Sequence, residues 1–183
     1  MQPARQDLPV TPGTTYRDTV RIMQPVFAYR TISKIEGAPA VLTVPAHGLD
    51  SDWPVWVRGV QGMPEANREP FKQLPHRAKR LTADSLEINP LSTTSLKPLG
   101  GELIYQLPVD LTDAAAWLNV YRGNDLLFAL SAGTGLTLTA PGTLTRSMTA
   151  EQTALLTGEP LHYTFDIQYP GLTTVRYGEG AIL

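Results

Sequence analysis

Histidines and closely spaced carboxylates are the residues of this sequence that could bind a metal or transfer protons. His47 is followed by Asp50-Ser51-Asp52, which offers two carboxylates and then stops at Trp53-Pro54. A zinc site needs three or four ligands, and no His or acidic residue lies at ligand spacing from His47 on one strand. A calcium loop needs several oxygen ligands at alternating positions. His76 and His162 have no such neighbours, and the alternation around His162 places it on an outward face. We therefore predict no metal or cofactor site, and interpret His47 as a residue packed in a tight Pro-Ala-His-Gly turn.

Two carboxylate pairs, Glu65 with Glu69 and Asp110 with Asp113, have the residue types that glycoside cleavage uses. Both pairs lie in turn-like sequence, so we interpret them as solvated turn residues. No Gly-Xaa-Ser-Xaa-Gly elbow is present, and Gly133-Thr134-Gly135 lacks the lysine of a phosphate-binding loop. We predict a non-enzymatic protein. A hydrolase is an alternative class, for which the sequence nominates no nucleophile.

Composition narrows the class of protein further. The 183 residues include 15 Gly and 16 Pro, which punctuate short runs rich in Thr, Val, Leu and Tyr, as in all-β proteins. The net charge of −2 argues against general nucleic-acid binding, and the lack of cysteine excludes disulfides. No apolar run reaches the roughly 18 residues of a membrane span, and the N-terminus lacks a signal-peptide core. We expect synthesis and folding in a cytoplasm.

The last forty residues have clear local patterns for one short helix and two strands. Thr149 and Gln152 have the spacing of a helix capping box, and Gly158 is placed to end that short helix. Tyr163, Phe165, Ile167 and Tyr169 then alternate with polar residues, which indicates a half-buried strand. Pro170-Gly171 predicts the turn into a second strand.

Other short strands predict an all-β fold with two parts. We predict hairpins at 117–130 and 77–88, with the alternative that 114–118 begins a helix. Residues 1–30 and 103–183 are predicted to form a discontinuous β-sandwich with one short helix. Residues 31–102 are predicted to form a small inserted β-barrel, entered and left through paired strands at 26–29 and 103–105.

Aromatic and basic residues of the insert are the candidate partner-binding residues. Aromatic residues beside arginine are typical of interface anchors, and equally of platforms that stack on sugars. A third interpretation is an ordinary solvated loop. The candidates in this region are Trp53, Trp56, Arg68, Phe71, Lys72, Arg77 and Arg80.

The two chain ends are the second candidate contact region. Residues 1–11 contain Pro3 and Pro9 and predict an extended arm, which either frays or docks on a neighbouring subunit. The C-terminal hairpin ends at Ile182 and Leu183, and an exposed edge strand is a ready template for strand addition. We predict that Ile182 and Leu183 contact another subunit.

Four segments follow one another in a recognisable order, reading DLPVTPGTTYRDTVRI, LPVDLTDAAAWLNVYRG, LTLTAPGTLTRSMTAEQTALL and YTFDIQYPGLTTVRYGEGAIL. This order resembles small virion proteins from the tail and baseplate gene clusters of tailed bacteriophages, and residues 108–111, 149–155 and 163–180 match the pattern of those proteins. The stretch VLTVPAHGLDSDWPVWVRGVQGMPEAN is similar to a small β-barrel module of many phage structural proteins. This sequence departs from that module at Trp53-Pro54, in place of a Gly-rich turn, and in a longer, more basic excursion at 70–80.

The resemblance implies a structural component of the phage virion, located at the tail tip, baseplate or tail-fibre attachment region. Its implied partners are other tail proteins and copies of itself in a ring. The alternative expectation is a module that binds host-surface carbohydrate through Trp53, Trp56 and Phe71.

Overall fold

The computed structural model describes residues 3–158, 160–171 and 173–183. Strands account for 54% of the chain and helix for 4%, which confirms the predicted all-β, sandwich-like fold class with one short helix. The α-helix, α1, is Ala150–Ala154, and a 3-10 turn covers Pro64–Ala66. The strands are β1 (Ala4–Arg5), β2 (Tyr16–Arg21), β3 (Met23–Thr31), β4 (Lys34–Glu36), β5 (Ala40–Thr43), β6 (Trp53–Arg58), β7 (His76–Thr82), β8 (Ser85–Ile88), β9 (Glu102–Pro108), β10 (Ala115–Arg122), β11 (Asp125–Ala132), β12 (Gly135–Ala140), β13 (Thr143–Met148), β14 (Leu161–Gln168) and β15 (Thr174–Ala181).

The chain divides into two compact units. The host unit comprises the residues up to Ile22 together with Asp110–Leu183, and the inserted unit comprises Met23–Val109. The predicted boundaries, after residues 30 and 102, differ from this division. They differ because β3 and β9 pair with each other and β9 also pairs with β6, so both strands belong to the inserted sheet.

The host unit contains one eight-stranded sheet, in the order β1-β15-β14-β10-β11-β12-β13-β2. The pairing between β11 and β12 is short and parallel, whereas the neighbouring pairs are antiparallel. Four strand steps separate β14 from β13, which in a flat sheet would be about 19 Å. Yet the Arg146 guanidinium of β13 lies 5.8 Å from the ring centre of Tyr163 in β14. The sheet therefore curls until its two halves face each other, as in a sandwich.

The inserted unit contains a seven-stranded sheet, in the order β3-β9-β6-β7-β8-β5-β4. The strands at its two ends, β3 and β4, are separated along the chain by only Ile32 and Ser33. The Ile32 amide donates to the Gly101 carbonyl oxygen, 3.0 Å away, and the Ser33 amide to that of Thr43, 2.9 Å away. One continuous run of chain thus begins and ends the ladder, and the sheet closes on itself around a core that includes Leu42, Val55 and Leu103.

Most local predictions are confirmed by the structure. The Thr149–Gln152 capping box begins α1, and Tyr163, Phe165 and Ile167 are the buried face of β14. Both predicted hairpins are present, as β10–β11 and β7–β8. The predicted pairing of β3 with β9 is also present, with Ala28 opposite Tyr105. The alternative of a helix starting near residue 114 is wrong, because residues 115–118 belong to β10.

Candidate docking surface

Trp53 is not a surface residue, contrary to our expectation that it contacts a partner. It is 1% exposed and belongs to the core of the inserted unit. Its indole N–H donates to the Gln106 carbonyl oxygen at 2.7 Å. The reason is the alternation of β6, since Trp53 shares its inward face with Val55 and Val57. A sugar or a partner protein cannot reach this ring without unfolding the unit.

Trp56 and Phe71 do meet, through a third aromatic residue that the sequence analysis did not nominate. The Phe27 ring of β3 packs edge-to-face against both, with ring centres 5.9 Å from Trp56 and 5.6 Å from Phe71. Such geometry is favourable for aromatic pairs. We call Phe27, Trp56, Phe71 and the nearby Leu74 the aromatic surface. Phe71 is 93% exposed and Leu74 83% exposed, so the surface presents large apolar side chains to solvent.

The Phe71 loop, residues 69–75, is held rigid by its own hydrogen bonds. The Trp56 indole N–H donates to the Gln73 carbonyl oxygen at 2.8 Å, and the Gln73 side chain accepts from the Glu69 amide at 3.1 Å. Arg68 donates across the loop to the carbonyl oxygens of Leu74 and Pro75. Phe71 has a φ of 65°, a left-handed conformation that costs a residue with a Cβ about 1–2 kcal/mol. The loop therefore presents its apolar side chains in a fixed and strained conformation.

Charged side chains surround this surface as paired groups. Arg58 and Glu102 form an ion pair of 2.6 Å, and the Arg58 guanidinium also lies 5.9 Å from the ring centre of Tyr29. Lys72 and Glu69 form an ion pair of 2.5 Å, which lowers the pKa of the Glu69 carboxyl. These pairs give the surface a polar, nearly neutral rim around the exposed Phe71 ring and the half-buried rings of Phe27 and Trp56.

The predicted basic residues do not act as one patch. Arg68 braces the Phe71 loop, as described above. Arg80 holds a different loop, because its side chain donates to the Leu49 carbonyl oxygen at 2.9 Å and its amide to the Asp52 carboxylate at 3.3 Å. Lys72 lies on the rim of the aromatic surface, and Arg77 is exposed on β7 opposite Pro54. The four nominated cations therefore have separate positions and partners, and Lys72 is already paired with Glu69.

The other two nominated residues lie in the host unit. Ile182 is 7% exposed, so it is part of the core and not an open contact, whereas Leu183 is 72% exposed. Ile182 is covered by the N-terminal arm of its own chain, through a parallel bridge with Leu8. The first two residues of the predicted arm lie outside the described residues.

The candidate catalytic and metal-binding residues have local structural roles. His47 is fully buried, and its ring nitrogens bond to the Leu49 amide and the Thr82 carbonyl oxygen, as expected of a packed turn residue. Hydrogen bonds from Thr112 lower the pKa of the Asp110 carboxyl. His162 is half-buried, not exposed, and stacks on Tyr121. Within the described ranges, no group of three or more acidic or histidine side chains could hold a metal ion. No helix among the described residues is long and apolar enough to cross a membrane.

One buried charged group was missed by the sequence analysis. Arg146 is 2% exposed in the host unit, and its guanidinium donates two hydrogen bonds to the Asp18 carboxylate, one of them at 2.8 Å. The pKa of Tyr16 is raised to about 12, mainly because the hydroxyl is buried and also because the Asp18 carboxylate is close. Burial also raises the pKa of Tyr163, which donates to the Gln6 carbonyl oxygen at 2.7 Å. This network ties the two halves of the curled sheet together.

Two members of the aromatic surface, Phe27 and Leu74, were not predicted, and Phe27 alone had a partial signal in the sequence. Phe27 and Tyr29 are two residues apart in β3, so alternation places them on one face. That face is aligned with Trp56, because Tyr29 pairs with Ile104 and Ile104 with Trp56. Leu74 had no signal, since its exposure depends on the hydrogen bonds of the Phe71 loop.

No protein-family model matches the sequence, and a search of curated proteins found no significant match.

Proposed function

We propose that this protein is a non-enzymatic structural component of a bacteriophage virion, at the tail tip, baseplate or tail-fibre attachment region. The setting is supported by the ordered sequence segments that resemble phage tail-cluster proteins and by the all-β fold that the resemblance implied. The observation that carries a docking role is the aromatic surface, where Phe71 and Leu74 are held exposed on a braced loop.

The energetics favour a protein partner. Contiguous exposed apolar side chains with a polar rim mark interaction sites, because water contact with them is unfavourable. Full burial of one such side chain contributes about 1.5–3 kcal/mol. The loop is already ordered by the bonds of Arg68, Trp56 and Gln73, so a partner does not have to order it on binding.

Carbohydrate binding is the second candidate, and one observation favours it. Phe71 leaves nearly its whole ring accessible, and a single exposed ring can stack on a sugar. Against it, the rings of Phe27 and Trp56 are inclined at 74° and those of Phe27 and Phe71 at 85°, so the three do not form a flat platform. Trp53, the third member of the predicted sugar site, is buried.

The test is a phage carrying Phe71→Ser together with Leu74→Ser. We expect the variant protein to fold and particle assembly to fail, because loss of two anchors of at least about 2 kcal/mol each weakens docking more than a hundredfold. Leu126→Ser, which replaces a 55% exposed leucine of the host unit, is the matched control and should assemble normally.

Two other outcomes would point elsewhere. Intact particles that no longer adsorb to cells would support the carbohydrate-binding alternative. Normal assembly and normal adsorption of the double variant would refute a docking role for this surface.

A further inference from the structure

The N-terminal arm, residues 3–10, lies on the open edge of β15 as an added parallel strand. The amides of Gln6, Leu8 and Val10 donate to the carbonyl oxygens of Glu179, Ala181 and Leu183, at 3.1, 2.9 and 3.0 Å. The Leu183 amide returns a bond of 2.9 Å to Leu8. Leu8 is 0% exposed and Val10 4% exposed, so the arm contributes side chains to the core as well as backbone bonds.

The β15 edge is shaped for this strand. Gly180 provides the clearest sign, because a Cβ there would lie 2.2 Å from the Gln6 carbonyl oxygen. The same carbonyl accepts from the Tyr163 hydroxyl, and the Asp7 carboxylate accepts from the Ala181 amide at 2.9 Å. The backbone hydrogen bonds, the space left by the missing side chain of Gly180 and the side-chain hydrogen bonds together form a strand-addition site. In this structure the site is occupied by the chain's own arm.

The segment that joins the arm to β2 is short and weakly held. Thr11, Pro12 and Gly13 are exposed, and the turn there is closed by bonds from Thr14 to the Thr11 carbonyl oxygen at 3.3 and 2.8 Å. Opening the turn at 11–13 breaks these two bonds, and Thr14 can stay in place because its carbonyl oxygen accepts from the Thr153 hydroxyl at 2.6 Å. An arm that leaves its own edge and docks on another copy makes the same contacts again, so the exchange has a low cost.

We propose that the arm of one copy docks on the β15 edge of a second copy, and that this exchange joins copies of the chain. Two copies that exchange arms reciprocally form a closed pair, and copies that pass the arm in one direction form a ring or an open chain. The arm and the β15 edge both belong to the host unit, whereas the aromatic surface belongs to the inserted unit.

The absence of cysteine in the full sequence allows a direct disulfide test. Arg5 and Glu179 are opposite each other in the β1–β15 pairing, and their side chains form an ion pair of 3.7 Å, so they point the same way. Neighbouring strands are about 4.8 Å apart, which is within disulfide reach. One full-length population carries Arg5→Cys and a second, distinguishable by mass, carries Glu179→Cys. The two are refolded together and oxidised.

A specific disulfide between the two populations forms when an arm lies on another copy, and random collision of exposed cysteines gives a background. We expect this heterodisulfide several-fold above the background given by Thr137→Cys mixed with Glu179→Cys, since Thr137 is exposed and distant from the arm in strand order. Adding Gly180→Val to the acceptor, or Leu8→Asp to the donor, should reduce the product to background.

Background levels of the heterodisulfide would overturn the proposal, provided that the chain carrying both cysteines gives the intramolecular disulfide. Circular dichroism confirms that each variant is folded, and the donor and acceptor substitutions serve as independent checks. Failure here would leave the assembly test of Phe71 and Leu74 unaffected, because those residues lie in the other unit.

Discussion

Replacing Asp18 by asparagine is expected to destabilise the host unit by about 3 kcal/mol or more. The substitution keeps the shape of the side chain but removes the charge that neutralises the Arg146 guanidinium. Arg146 is 2% exposed, so water cannot replace the lost partner, and breaking a buried ion pair costs about 3–5 kcal/mol. The lower end applies, because the Asp18 side chain is 26% exposed and the pair is not fully removed from solvent.

Removing the other partner should cost less. Arg146→Met leaves an apolar chain in the same space and leaves Asp18 with access to water, so we expect a loss under about 2 kcal/mol. The asymmetry between the two variants, and not either value alone, is the prediction. It follows from the difference in exposure between the two partners.

Equilibrium unfolding in urea measures both values. Circular dichroism and tryptophan fluorescence should be followed together, because a chain of two units need not unfold in one step. The double variant Asp18→Asn with Arg146→Met gives the coupling energy between the two positions. Equal costs for the two single variants, or a larger cost for Arg146→Met, would refute the assignment of Arg146 as the buried partner.

Three further predictions concern single side chains. In urea unfolding, Trp53→Ala should lower the free energy of unfolding by about 3–5 kcal/mol, because the Trp53 ring is buried. Phe71→Ala should lower it by less than about 0.5 kcal/mol, because the Phe71 ring is exposed. Equal losses for the two variants would contradict the placement of these rings. Burial lowers the pKa of His76, whose Nε2–H donates to the Ala66 carbonyl oxygen, so its contribution to stability is present above pH 6.5 and is lost as the pH falls below that. His76→Gln should therefore flatten the acid side of the stability profile, and an unchanged slope would contradict this. Tyr16 should ionise near pH 12, so its contribution to stability is present below pH 10 and is lost as the pH rises toward 12. The difference in phenolate absorbance between the wild type and Tyr16→Phe should have its midpoint near pH 12. A midpoint near pH 10 would contradict this prediction.

Sequence reasoning reached the elements whose signals are local. The Thr149–Gln152 capping box and the alternation of Tyr163, Phe165 and Ile167 each depend on neighbours within a few residues. The burial of Trp53 also had a local signal, since Trp53, Val55 and Val57 alternate within β6. The aromatic and basic residues near Trp53 favoured a surface role for it, although its alternation with Val55 and Val57 indicates burial.

Features that join distant parts of the chain were not predictable in this way. Arg146 pairs with Asp18 across 128 residues, because β13 and β2 lie in register. The arm and β15 come from opposite ends of the chain, and their parallel pairing has no turn residue to mark it. Phe27 and Phe71 meet only because the Phe71 loop folds back over the outer face of β3 and β6.

Quantitative mass spectrometry of purified phage particles can establish whether this chain is part of the assembled virion. The measurement uses particles of the phage that encodes the chain, compared with a lysate of infected cells. We predict a fixed copy number per particle, between about three and twelve, as for one ring of subunits. If the chain is abundant in infected cells and missing from purified particles, it is not a structural component of the virion.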